Sequence, residues 1–311
     1  MQNVYEVQAA NKRRSVFVLV SFMVFVAVTI YVMSQAFGIY LGYEPGGFGY
    51  VGIALIISSL MSLGSYWYSD KIVLGISGAK EAKREDYFEF YTVSENLAMA
   101  AGLPKPKLYV IDDTAPNAFA TGRDPKHAVV CATTGLFEKL NRTELEGVIA
   151  HELTHVKNYD IRLMSVVGVM VGLVALLGDW FLRMQWFGGR RSRDNDNNAI
   201  GAIFLILGLV FAILSPIVAN LIKLAISRRR EFMADAGSVA ITRQPSGLIN
   251  ALKKISDDTE ALEAANKATA HMYIVNPFQG KRDHRAVSRM AGFFNTHPPV
   301  GDRITALEKM A

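Results

Sequence analysis

Two long uncharged runs dominate the first quarter of the chain. Ser15 to Tyr43 carries no charged side chain and is almost continuously apolar from Val16 to Met33, and Pro45 to Ser69 forms a second such run. Each meets the roughly 20-residue requirement of a helix that crosses a bilayer. A short turn around Glu44, Pro45, Gly46 and Gly47 joins them. The alternative for the first run is a cleaved signal sequence, because Lys12, Arg13 and Arg14 precede it and Ser34-Gln35-Ala36 resembles a cleavage site. Its length argues against that, since secretory apolar regions run about 7–15 residues. Two further uncharged runs follow, Leu163 to Gly178 and Asn197 to Ile222. The third is short enough to be a buried core helix instead of a span.

Between these pairs the pattern shortens and turns polar. Leu108 to Ile111, Asn117 to Thr121 and Ala128 to Ala132 alternate like strands, with Gly122 and Pro125 marking the turn between the last two, so a small sheet is expected. Helical periodicity brackets it. One helix is expected from Asp86 to Ala101, ended by Gly102 and Pro104, and another from Glu144 to Asn158, opened by a capping box at Thr143 and Glu146. Arg228 to Ile241, Ser246 to Ile255 and a short segment after Pro299 also read as helices.

Composition agrees with the membrane reading, because 51% hydrophobic against 20% charged residues is more apolar surface than one packed core absorbs. The single cysteine, Cys131, excludes an intrachain disulfide and any thiolate-rich metal site. The net charge of +5 is spread over short clusters with no single basic face, which suits anionic lipid headgroups and implies no nucleic acid partner. Lys and Arg flank the spans unevenly. Lys12, Arg13 and Arg14 precede the first, none lies between the first two, and Lys71, Lys80, Lys83 and Arg84 follow, placing the N-terminus and the segment after Ser69 in the cytoplasm. Arg228, Arg229 and Arg230 agree, whereas Arg190, Arg191 and Arg193 oppose this orientation.

The chemistry concentrates in His151-Glu152-Leu153-Thr154-His155. On a helix, positions i and i+4 share a face, so both imidazoles can reach one tetrahedral Zn²⁺ with Glu152 beside them as a general base. A catalytic zinc ordinarily has three protein ligands and one open position, and Val156 to Ile161 offers no further histidine, so a carboxylate on another helix is expected. Glu231 is the candidate. It follows the fourth run by about nine residues as His155 precedes the third by about eight, so at about 1.5 Å per residue an antiparallel hairpin brings them level. Asp235 lies four residues on, on the same helical face, where a carboxylate can hydrogen-bond a ligand or an intermediate. The alternative is that Glu231 pairs with Arg228, Arg229 or Arg230. His127, His271 and His284 have no such context and read as surface residues.

The segment from Gly147 to Asp160 around the pentad, Arg-Arg-Glu231-Phe-Met-Ala-Asp235, Asn117-Ala-Phe-Ala-Thr-Gly122 and Thr296-His-Pro-Pro299 leading to Arg303-Ile together resemble the HtpX-type membrane zinc metalloproteases, more distantly the CAAX prenyl endopeptidases. The resemblance implies His151, His155 and Glu231 as ligands of one Zn²⁺ and Glu152 as base. It further implies that Asn117, His297 and Arg303 lie near the metal in supporting or oxyanion-stabilising roles.

The fold expected is therefore an α-helical integral membrane protein with a zincin-like α+β catalytic domain and four transmembrane helices. Its parts are a cytoplasmic N-terminus at 1–14, membrane hairpins at 15–69 and 161–226, and a catalytic domain split between 70–160 and 227–311. The function expected is a zinc endopeptidase of the inner membrane, its active site facing the cytoplasm. By the resemblance it clears damaged membrane proteins, its partners being polypeptide substrates and the lipid bilayer. Asn117 to Thr121, read as an exposed strand, offers an edge on which an extended substrate pairs. The rivals are a CAAX-type processing peptidase, which wants a larger intramembrane chamber, and a non-catalytic metal-binding scaffold, which has no need of Glu152.

Overall fold

A computed structural model describes residues 4–40, 49–170, 228–258, 260, 262–264, 269–275, 277 and 298–310. Helices α1 (Val4–Tyr40) and α2 (Gly49–Trp67) pack against each other, and α3 (Ser69–Ile76) leads into the sheet. The sheet has four strands, β1 (Lys80–Glu81), β2 (Lys107–Ile111), β3 (Ala118–Thr121) and β4 (Val129–Thr133), in the order β1-β2-β4-β3. Strands β2 and β4 run parallel and the outer pairs antiparallel. The three strands expected from the pattern are present, and β1 adds a two-residue edge too short to carry a periodic signal.

Alternation along the strands sorts their side chains onto two buried faces. Leu108, Val110, Ala118, Ala120, Val130 and Ala132 face one core, shared with Phe90, Val93 and Leu97 of α4 (Phe88–Ala101) and with Val148, Ile149 and Leu153 of α6 (Arg142–Lys157). Ile111, Phe119 and Cys131 belong to a second cluster with Val73, Met164, Met272 and Tyr273. Helix α4 ends where expected, at Gly102, whose φ of 69° closes the last turn in the left-handed conformation that glycine adopts freely. A short helix α5 (Thr134–Lys139) connects β4 to α6.

Helix α6 begins two residues earlier than the sequence pattern indicates. Asn141 is the N-cap: its side chain accepts from the Glu144 amide at 3.0 Å, and Glu144 Oε2 accepts from the Asn141 amide at 2.9 Å. Thr143 therefore lies inside the helix and cannot cap it, and Glu146 pairs with Arg142, one turn back, at 3.1 Å. Helices α7 (Arg228–Thr242) and α8 (Pro245–Asp257) both pack on α6. Proline opens α8, and Leu248, Ala251, Leu252 and Ile255 form its buried stripe. The chain closes with α9 (Val300–Glu308), placed against α7 and α8.

Over the residues whose side chains are described, no helix is long and apolar enough to cross a membrane. The expected hairpin 161–226 lies outside the described residues except for 161–170, which are helical.

Close contact between α6 and its neighbours depends on two glycines. A Cβ on Gly147 would run into the backbone at Leu248 of α8, and one on Gly237 of α7 into the Thr154 side chain. Ser238 uses the proximity to donate from its hydroxyl to the Gly147 carbonyl at 2.8 Å. Gly237→Ala should therefore push α7 off α6 and lower stability by about 1–3 kcal/mol, the usual effect of overpacking. Denaturant unfolding of the purified protein checks this, and an unchanged midpoint would mean that Thr154 yields without moving the helix.

Candidate metal centre

On α6, His151 and His155 stand one turn apart, their rings edge to face with centroids 4.8 Å apart and Nε2 atoms 3.2 Å apart. The α6–α7 contact brings Glu231 over them, Oε1 lying 3.6 Å from His155 Nε2 and Oε2 3.8 Å from His151 Nε2. All three residues are buried, and one donor atom from each falls within 4.8 Å of the other two. Ligands about 2.0–2.1 Å from a tetrahedral ion sit about 3.3 Å from one another, so the three observed separations have the dimensions of one face of a zinc coordination sphere. Two neutral nitrogens and a carboxylate are also a donor set that zinc favours.

A second ring of groups orients the first. His151 Nδ1 lies 3.0 Å from Asp235 Oδ1, and Arg303 grips that carboxylate with Nε at 2.9 Å and Nη2 at 2.6 Å. Arg303 is fully buried and also donates from Nη1 to the Ile274 carbonyl at 3.0 Å. His155 Nδ1 lies 3.1 Å from Asp160 Oδ2, and Arg230 approaches the other oxygen of Asp160 at 3.6 Å. Each imidazole thus has a carboxylate at Nδ1, which fixes its tautomer and leaves Nε2 for a metal.

The two carboxylates act unequally. Burial pushes His151 down to about 4; the hydrogen bond and charge of Asp235 oppose the shift, and the charges of Arg303 and His155 add to it. Burial acts on His155 in the same direction, yet the hydrogen bond to Asp160 and the charges of Glu231, Asp160 and Glu152 outweigh it and raise that imidazole to about 9. Asp235 remains below the ordinary carboxylate range, since the charges and hydrogen bonds of Arg303 and His151 together more than offset its burial. Glu152 goes the other way. Burial, aided by the charge of Glu231, pushes it up to about 7 against the pull of His155 and of a hydrogen bond from the Ala120 amide of β3. A carboxylate poised near neutrality beside a metal site is suited to take a proton from water and give it back.

A mixed sheet backing a helix that carries two histidines, with a glutamate supplied by the next packed helix, defines a metallopeptidase. The model of Peptidase family M48 matches residues 89–311, and the chain belongs to that family. Among its relatives, a "Protease HtpX homolog" of Dictyoglomus thermophilum is 44% identical over 306 residues, covering 98% of this chain and 94% of the relative. Proteins of the same description from Caldanaerobacter subterraneus and Streptococcus uberis are 42% and 39% identical over 311 residues, covering 99% and 98% of this chain and 98% and 99% of their own. The solved structure of S. mikatae Ste24p aligns with a TM-score of 0.47 at 19% identity, covering 89% of this chain and 61% of that one. The chain is accordingly a zinc-dependent metallopeptidase acting on polypeptides.

The structure brings together His151, Glu152, His155, Glu231, Asp235 and Arg303 from the residues that the sequence singles out. Asn117 is buried but joins none of them by a hydrogen bond: its Nδ2 donates to the Val275 carbonyl at 3.1 Å. His297 lies outside the described residues, as does His284. Two expectations are corrected. His271 is buried, with Nε2 3.0 Å from the Met164 carbonyl, because residues 270–275 fold over the second face of the sheet. Strand β3 is an edge strand but a buried one, with the Ala118 carbonyl accepting from the Ile274 amide at 3.0 Å, so it is not the exposed strand expected.

Sequence reasoning quoted Asp160 without giving it a role. An acid five residues past His155 lies beyond the end of a regular helix, and only the left-handed turn at Tyr159, φ 60°, returns it to that histidine. Asp235→Asn should weaken zinc binding about 10–100-fold, as loss of such orienting partners does, because an amide can turn its NH₂ toward Nδ1 and force the proton onto Nε2. Competition with a chromophoric chelator measures this, and wild-type affinity in the variant would remove Asp235 from the metal centre.

Proposed function

We propose that this chain is a membrane-anchored zinc endopeptidase of protein quality control, with His151, His155 and Glu231 holding the ion and Glu152 as general base. The buried three-residue cluster with Glu152 beside it is the observation that carries this reading. When bound, zinc lowers the pKa of a coordinated water and polarises the scissile carbonyl. Glu152 accepts a proton from the attacking water and delivers it to the leaving amine, a relay that its raised pKa favours. Asp235 and Arg303 are positioning residues that act through His151. Asn117 acts at one remove, tying β3 to Val275 beside the Ile274 carbonyl that Arg303 uses. An oxyanion-stabilising role for His297 rests on the family resemblance.

The membrane reading is supported by apolar faces that are exposed among the described residues. Val16, Phe17, Val20, Val24 and Val28 on α1 and Ile53, Ile56, Leu60 and Leu63 on α2 are all exposed, and contiguous apolar surface of that kind is foreign to a protein that water surrounds. Tyr66, Trp67 and Tyr68 follow at the end of α2, with Arg162 over Tyr66, Arg123 over Trp67 and Lys71 over Tyr68. Such an aromatic and basic belt suits a membrane interface. On this reading 15–69 and 161–226 form membrane hairpins, and 70–160 and 227–311 form one cytoplasmic catalytic domain. A site held at the bilayer meets membrane-protein segments at high local concentration, and these are the proposed substrates.

Glu152→Gln should retain one zinc per chain yet lose cleavage of an unfolded substrate such as casein by about 10²–10⁴-fold, the usual contribution of a general base. Cleavage by the metal-loaded variant at the wild-type rate would sink the assignment. The topology has its own test. On a background with Cys131 replaced, a single cysteine at the exposed position 157 should label only from the cytoplasm and one at 194 only from outside. Positions 157 and 231 found on opposite faces would exclude a shared ion.

A further inference from the structure

Helix α6 ends at Lys157, and the last carbonyls of a helix find no partner within it. Here α1 supplies partners. Gln8 Nε2 donates to the Lys157 carbonyl at 3.0 Å, and Asn11 Nδ2 donates to the Asn158 carbonyl at 3.0 Å. Beyond Asn158 the chain turns through Tyr159 in the left-handed region, which a residue with a Cβ holds only where its surroundings impose it. Lys12 lies 4.2 Å from the centre of the Tyr159 ring and Arg162 5.3 Å. Gln8, Asn11, Lys12 and Ser15 share one face of α1 at i, i+3, i+4 and i+7.

That turn delivers Asp160, and Asn11 meets it there. While Oδ2 of Asp160 engages His155 Nδ1 at 3.1 Å, Oδ1 accepts from Asn11 Nδ2 at 2.7 Å. Asn11 is 1% exposed, and its two amide protons serve two acceptors of the same turn. Arg230 approaches the same oxygen at 3.6 Å, so the shorter contact that fixes the direction of the carboxylate is the one from Asn11.

We propose that Asn11 is a positioning residue of the metal centre, clamping Asp160 so that the His155 ring is held with Nε2 toward the ion, and that zinc affinity therefore depends on the docking of α1. The segment ahead of the first apolar run is then part of the active-site structure. This inference rests on the assignment of His155 as a ligand.

The test uses the full-length protein in detergent micelles and compares wild type, Asn11→Leu, Asp160→Asn, the double variant and His155→Ala. Zinc affinity is read by chelator competition, and the thermal midpoint is read with and without zinc. Asn11→Leu should bind zinc about 3–10-fold more weakly, less than the 10–100-fold loss typical of a direct orienting partner and expected for Asp160→Asn. The double variant should be no weaker than Asp160→Asn alone, since both changes break one path. The rise in midpoint on adding zinc should shrink in Asn11→Leu, as a weaker ligand stabilises less. Should Asn11→Leu not fold, Asn11→Ser carries the same measurements. Wild-type affinity in the Asn11 variant, effects of Asn11 and Asp160 that multiply, or equal falls in midpoint with and without zinc would overturn the proposal. Undiminished zinc binding in His155→Ala would overturn the ligand assignment instead.

Discussion

The constraint on which the centre of this protein depends is charge balance in a dry interior. Glu152, Asp160, Glu231 and Asp235 are all buried, and among the described residues the guanidiniums buried with them belong to Arg230 and Arg303. The acids outnumber the guanidiniums, and the difference is met by protons on Glu152 and His155, whose pKa values are raised to about 7 and about 9, or by a divalent cation between His151, His155 and Glu231. Uncompensated charge inside a protein costs several kcal/mol per ion. The same groups that orient the imidazoles therefore make the pocket tolerable when it is loaded, and part of that balance is already visible in Glu152, whose raised pKa lets it carry a proton.

Maintaining such a cluster requires helices that approach closely and do not slide. Gly147 and Gly237 remove the side chains that would separate α6 from α8 and α7, and Ser238 pins the α6–α7 contact through the Gly147 carbonyl. On its other side α6 lies on a sheet buried on both faces, whose edge strand sends the Ala120 amide to Glu152.

The link between α1 and the turn at residues 157–160 joins two parts of the molecule that the sequence presents as separate. Residues 4–14 precede the apolar run and look like an ordinary basic flank. In the folded protein their polar face satisfies the end of the metal-bearing helix, while further along α1 the apolar face is exposed. One helix thus meets two environments in succession, and its amphipathic start is legible only once its neighbour is known.

The sequence by itself determined the pieces whose signal is local. Two imidazoles at i and i+4 with a glutamate between them declare a helix-borne metal site, because helix geometry alone makes those side chains neighbours. Strand alternation at 107–111, 118–121 and 129–133, the Gly102 stop and the proline start of α8 were legible for the same reason. Spacing also pointed to Glu231 and Asp235. What only the tertiary structure decided is pairing at a distance: that Asp235 belongs to His151 and Asp160 to His155, that Arg303 grips Asp235 and Arg230 approaches Asp160, and that Asn141 caps α6 where Thr143 had seemed the better start. Each of those choices was made among several chemically equivalent partners. Packing made the choice, through the closeness of α6 to α7 and the left-handed turn at Tyr159, and neither has a signature in the order of the residues.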